Sequence, residues 1–110
     1  MSIEARYRDR YRSSAELYIE AQNHFPSGVT HDGRYMQPFP IAIDRAEGAY
    51  KWDIDGHRWI DYWQGHGALL LGHSHPALVA AVQQQIGRGT HYGANHALEL
   101  RWAAAPTGRW

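Results

Sequence analysis

The stretch Ala46-Glu-Gly-Ala-Tyr-Lys-Trp-Asp-Ile-Asp-Gly-His-Arg-Trp-Ile-Asp-Tyr62 decides the fold of this chain. Its residues alternate with the period of two expected of extended chain, and its turns fall between the alternating runs. Glu47–Gly48 reads as one turn. Asp55–Gly56 is the strongest turn signal in the sequence, because both residue types accept the backbone conformations of a tight hairpin. The expected strands are therefore Ile41–Asp44, Ala49–Asp53 and Arg58–Tyr62, forming a three-stranded antiparallel meander. Alternation places Tyr50 and Trp52 on one face, with Lys51 and Asp53 on the other. Trp59 and Asp61 similarly oppose Ile60 and Tyr62.

Upstream, a helix is expected from about Ser14 to Asn23. Ser13 or Ser14 is placed to cap it, Glu16 is in capping-box position, and Pro26 ends it. The segment Ser27–Pro40 carries no period and reads as loop. Residues 1–12 hold Arg6, Arg8, Arg10 and Arg12 against Asp9, and read as a basic, solvated and poorly ordered arm. Downstream, Gln64–His75 is rich in glycine, and such a segment brings backbone close to a neighbour or a ligand. Pro76 then opens a helix carrying Leu78, Val79, Val82 and Ile86, closed by Gly87 and Gly89. Thr90–Asn95 is loop, and Ala97–Ala105 is a further short helix cut by Pro106.

Composition narrows the function classes. At 110 residues the chain has room for one small domain, and its formal net charge is zero, so no general attraction to nucleic acid is expected. It contains no cysteine, which removes disulfides and thiolate metal sites. No apolar run is long enough for a membrane span or for the core of a signal peptide, and a soluble cytoplasmic protein is the expectation. The aromatic residues Tyr50, Trp52, Trp59, Tyr62 and Trp63 read as core and domain contact. No basic groove accompanies them, so a nucleic-acid stacking platform is not expected.

Four blocks sharpen this picture: Ala46–Gly56, Trp59-Ile-Asp-Tyr62, Leu71-Gly-His-Ser-His-Pro76 and Arg88-Gly-Thr-His-Tyr-Gly93. In this order and spacing they resemble the N-terminal region of class III aminotransferases, nearest the branch of glutamate-1-semialdehyde 2,1-aminomutase. The resemblance runs from about His24 to Leu100, with residues 13–102 as the family's N-terminal segment. It implies an α+β segment (helix, three-stranded meander, helix) of an α/β fold-type I enzyme. It further implies a homodimer, pyridoxal 5'-phosphate (PLP) as cofactor, and amino transfer between an amino acid and an oxo compound.

Such enzymes hold PLP on a lysine, and the only lysine here is Lys51, in a block where the family pattern has none. The phosphate-binding loop and the aspartate for the pyridine nitrogen are also absent from these residues. The expectation is that the chain alone binds no PLP and has no transaminase activity. Residues 103–110 leave the pattern for Ala103-Ala-Ala-Pro-Thr-Gly-Arg-Trp110, read as the mark of a frameshift or truncation near residue 103.

The resemblance also assigns site residues. Arg34 stands where the aminomutase branch has an arginine on the substrate carboxylate, a task suited to a guanidinium fork. Gly65-His66-Gly67 falls where that branch has Ser-Trp-Gly beside cofactor and substrate, which marks Gly65 and His66 as substrate-side residues. A histidine there replaces a flat apolar wall with a group that donates, accepts or titrates, which points to a different substrate. Thr90 and Tyr92 match a loop near the dimer interface. The plain alternatives are a solvated arginine, a solvent-facing histidine and a connecting loop. His73, His75, His91 and His96 invite a zinc reading, but no carboxylate or thiolate lies at ligand spacing, and no metal is expected. The remaining rival is a small homo-oligomerising or partner-binding module without catalysis.

Overall fold

The computed structural model describes residues 1–105, in two compact units that divide between His75 and Pro76. The first contains α1 (Ile3–Arg10), α2 (Arg12–Ala21), two single 3₁₀ turns (Pro26–Gly28 and Asp32–Arg34), and strands β1 (Ile43–Glu47), β2 (Tyr50–Asp53) and β3 (Arg58–Ile60). The second contains α3 (Pro76–Ile86) and α4 (Ala97–Ala104). The expected tail over 103–110 lies mostly outside the described residues.

The meander forms as the alternation requires, in the antiparallel order β1-β2-β3. The first strand lies two residues later than expected at its start, with an irregularity between Ile43 and Arg45 that shifts its register. Lys51 pairs with Trp59, and Trp52 with Arg58. The aromatic residues therefore do not share one face. Trp59 joins Lys51, Asp53 and Asp61 on the side that meets the helices, its ring 5.8 Å from that of Tyr11. Tyr50 and Trp52 lie on the opposite side beneath cations, with Arg45 3.7 Å above the Trp52 ring and Arg58 4.7 Å above Tyr50. Tyr62 is 89 % exposed and Trp63 64 %, so neither belongs to the core.

The basic arm expected to be disordered is instead helix α1. The Ser2 hydroxyl caps it by accepting from the Ala5 amide at 3.1 Å, Glu4 lies in its first turn, and Glu4 pairs with Arg8 one turn on. Arginines at this spacing compensate the helix dipole and the acid of the preceding turn, which the net count of charges conceals. The helix is also tied down: the Tyr7 hydroxyl donates to the Phe39 carbonyl at 2.8 Å, and the Tyr7 ring packs on Phe39 and Tyr11. Phe39 and Tyr11 are the buried apolar side chains of the described residues.

The cap expected for α2 differs as well. No side chain of its own N-cap residue, Tyr11, serves it. Asp55 in the hairpin turn does so, accepting from the Ser13 amide at 2.8 Å, the Ser14 amide at 3.2 Å and the Ser14 hydroxyl at 3.0 Å. A carboxylate at a helix N-terminus meets unpaired amides and the positive end of the dipole. Burial pushes the Asp55 carboxyl up, but these bonds from Ser13 and Ser14 outweigh it and hold it below the ordinary range.

Candidate functional site

The face of the sheet that carries Trp59 also holds two buried carboxylates, Asp53 and Asp61. Asp53 is 2 % exposed and accepts from the Trp59 indole at 2.8 Å and from the His57 amide at 2.8 Å. Burial alone would raise its pKa; the bonds from Trp59 and His57 carry it below the usual carboxylate value. Among the described residues no buried side-chain nitrogen or oxygen lacks a partner.

Asp61, one residue beyond β3, continues this face, and its amide donates to the Ala49 carbonyl at 2.8 Å. Oδ1 accepts from the Trp63 amide at 3.0 Å and from Lys51 Nζ at 3.2 Å, while Oδ2 lies 2.6 Å from His73 Nε2. The bond from His73 is the main reason its carboxyl is held far below the ordinary range; burial opposes it, and the Trp63 amide and Lys51 add to it. An ionised carboxylate has no proton to give, so His73 Nε2 carries the hydrogen. Sequence reasoning missed this group. Alternation had placed Asp61 on the correct side of the sheet, but nothing local pairs it with His73.

Between Trp63 and Gly72 runs the glycine loop. Its backbone takes left-handed angles at Gln64 (φ 46°) and His66 (φ 61°), conformations that L-residues adopt only when their surroundings impose them. Internal bonds close it: Gly67 N–H to the Trp63 carbonyl at 3.1 Å and Leu69 N–H to the Gln64 carbonyl at 3.0 Å. At its far end Gly48 and His73 exchange two backbone hydrogen bonds, each 2.8 Å. A Cβ on Gly72 would stand 2.8 Å from the Gly48 carbonyl oxygen, so the close approach demands glycine there. Gly65 and His66 sit exposed on this loop, with the His66 ring edge-on to Trp63 at 4.9 Å.

Arg34 ends a 3₁₀ turn and is exposed, its Nη1 donating to Thr30 Oγ1 at 2.9 Å. The adjoining segment lines a depression of about 650 Å³ that includes Phe25, Val29, His31 and Tyr35. The partners of Arg34 and of His66 are thus local ones, and neither is the other's. In the second unit Thr90 is exposed. The Tyr92 hydroxyl donates to the Arg88 carbonyl at 2.8 Å, and its ring stacks on His96 at 5.0 Å. These two residues line a cavity of about 570 Å³ with Val82, Gln85, Ile86 and His96. His96 also caps α4, accepting from the Leu98 amide at 3.2 Å.

Lys51 does not fit the anchoring of an aldehyde cofactor. Its Nζ is engaged by Asp61 Oδ1 at 3.2 Å, whereas a Schiff-base lysine must present that nitrogen to the aldehyde carbon.

Residues 32–103, more than half of the chain, match the family Aminotransferase class-III. A glutamate-1-semialdehyde 2,1-aminomutase of Methanopyrus kandleri is 40% identical over 97 residues, covering 88% of this chain and 23% of that protein. Among solved structures, a β-phenylalanine aminotransferase from Variovorax paradoxus superposes with a TM-score of 0.83 at 31% identity, over 88% of this chain and 23% of that one. A glutamate-1-semialdehyde aminomutase from Pseudomonas aeruginosa PAO1 gives 0.81 at 27% identity, over 92% and 22%. The chain spans less than a quarter of the length of these relatives.

Proposed function

The chain belongs to the class III aminotransferases, and from that premise we propose that it is the N-terminal segment of a PLP-dependent enzyme that moves an amino group between an amino acid and an oxo compound. The observation carrying this reading is the match over residues 32–103 together with similarity to both aminomutases and transaminases. In the proposal, Arg34 receives the substrate carboxylate. Its Nη1 is engaged by Thr30, leaving further donors of the fork for a second partner. Gly65 and His66 form the wall of the substrate site. Thr90 and Tyr92 belong to the interface of a homodimer.

These residues alone supply no covalent anchor, and the chain by itself is proposed to be inactive. Among the described residues no helix is long and apolar enough to cross a membrane; a cytoplasmic location is part of the proposal.

Two experiments test it. The chain is incubated with PLP, reduced with borohydride and digested; mass spectrometry should find no pyridoxyl group on Lys51, and a stoichiometric adduct there would overturn the assignment of roles. Second, residues 24–102 replace the matching segment of the β-phenylalanine aminotransferase. Retained PLP-dependent amino transfer supports the reading, and a soluble, PLP-loaded but inert chimera counts against it. Exposed apolar side chains in each unit favour partner binding as a second reading: Leu70 is 92 % exposed in the first, and Trp102 79 % and Leu100 77 % in the second. Apolar side chains so placed call for a covering surface, and sedimentation of the isolated chain would tell self-association from a monomer.

A further inference from the structure

We infer that Asp61 is a positioning residue for His66: its carboxylate closes both ends of the 63–72 loop and so fixes where the imidazole stands. The functional meaning of this clamp rests on the reading of His66 as a substrate-side group; its geometry does not.

The first end is held at Trp63, whose amide donates to Asp61 Oδ1 at 3.0 Å, and at Gln64, whose side-chain amide donates to the Asp61 carbonyl at 2.9 Å. The second end is held at His73, 2.6 Å from Oδ2. His73 in turn is locked to Gly48 by two backbone bonds, so the carboxylate links the loop to both the β1–β2 turn and the end of β3. The Trp63 amide, the Lys51 ammonium and the His73 ring all reach the two carboxylate oxygens as donors. Only an acceptor with two oxygens serves all of them at once. Trp63 then passes the constraint on, because its ring meets the His66 ring at 4.9 Å and 71°. The left-handed backbone at Gln64 and His66 persists because both ends of the loop are fixed. Lys51 balances the buried charge without touching the loop, so its role is separable from the clamp.

The test labels histidine ring carbons in the 110-residue chain and assigns the His66 signal by His66→Gln. Asp61→Ala and His73→Phe should each displace the His66 resonance, while Lys51→Met leaves it in place. The inference is overturned if His66 is unmoved in both loop variants, or if Lys51→Met moves it as far as they do. Should Asp61→Ala lose the dispersed signals of the folded chain, His73→Phe decides alone, since it opens one end and leaves the carboxylate.

The functional arm uses the chimera described above with β-phenylalanine as amino donor. His73→Phe should raise KM more than it lowers kcat, and should add nothing once His66 is alanine. Additive effects would leave the clamp a purely structural device and overturn the positioning role. If His66→Ala itself changes neither parameter, the substrate-side reading fails, while the ring-carbon result still stands or falls by itself.

Discussion

Helices α2 and α3 are nearly equal in length, 10 and 11 residues, and each carries apolar side chains at helical spacing. Their surroundings differ. Helix α2 rests its N-terminus on the Asp55 carboxylate, and its Ser14 is 1 % exposed. Helix α3 buries no residue, and Val82 and Ile86 are each 59 % exposed. The contrast extends to the units they belong to. Residues 1–75 enclose Phe39, Tyr11 and three polar side chains, every one with partners, whereas no described residue from 76 onward is buried. Periodicity fixes which face of a helix is apolar. Whether that face is covered depends on another element reaching it.

The comparison predicts that stability is concentrated in the first unit. Phe39→Ala should have the largest effect, about 3–5 kcal/mol in urea unfolding, because it empties the aromatic cluster of Tyr7 and Tyr11. A loss below 1 kcal/mol would mean that the cluster is not the core. Acid should come next. Asp53, Asp55 and Asp61 all have folded pKa values below their ordinary 3.8, so the unfolded chain binds protons first. Their contribution is complete above that value and is lost as the pH falls through the folded values. Unfolding free energy measured from pH 6 downward should therefore hold steady and then drop below about pH 4; a flat profile down to pH 2 would remove the buried carboxylates from the account.

Asp55→Ala sharpens the comparison at α2 alone. Losing a cap of this kind costs about 1–2 kcal/mol, and amide exchange should speed up at Ser13 and Ser14 before the sheet is affected. Uniform acceleration across β1–β3 would show that the cap and the sheet open together. The smallest effect belongs to the second unit: Leu100→Gln and Trp102→Gln should each change stability by less than about 0.5 kcal/mol while reducing the binding of an apolar dye. A substantial destabilisation by either would show that its side chain is covered in solution.

Much of the first unit was legible in the residues. The Asp55–Gly56 turn and the alternation from Tyr50 to Asp61 predict the meander, because strand pairing across a short turn involves neighbours in sequence. The candidate loop was legible as a glycine-rich approach of backbone to something else. What it approaches, Gly48, was not. The aromatic residues were harder: alternation separates Trp59 from Trp52 correctly only when each strand's register is known, and β1 shifts between Ile43 and Arg45. Helix α1 was missed because four arginines suggest repulsion until Ser2, Glu4 and Asp9 are placed one turn from them.

Local order of elements, turn chemistry, the single lysine and the family blocks were determined by the sequence itself, since each depends on residues within a few positions of one another. The tertiary structure decided the partners of the charged groups. Asp55 meets Ser13 and Ser14 from more than forty positions away, and Asp61 joins Lys51, Trp63 and His73 from two other segments. A carboxylate in a sequence reads as solvated surface. In the fold it is buried wherever enough donors converge on it to replace water, and that convergence is a property of three dimensions.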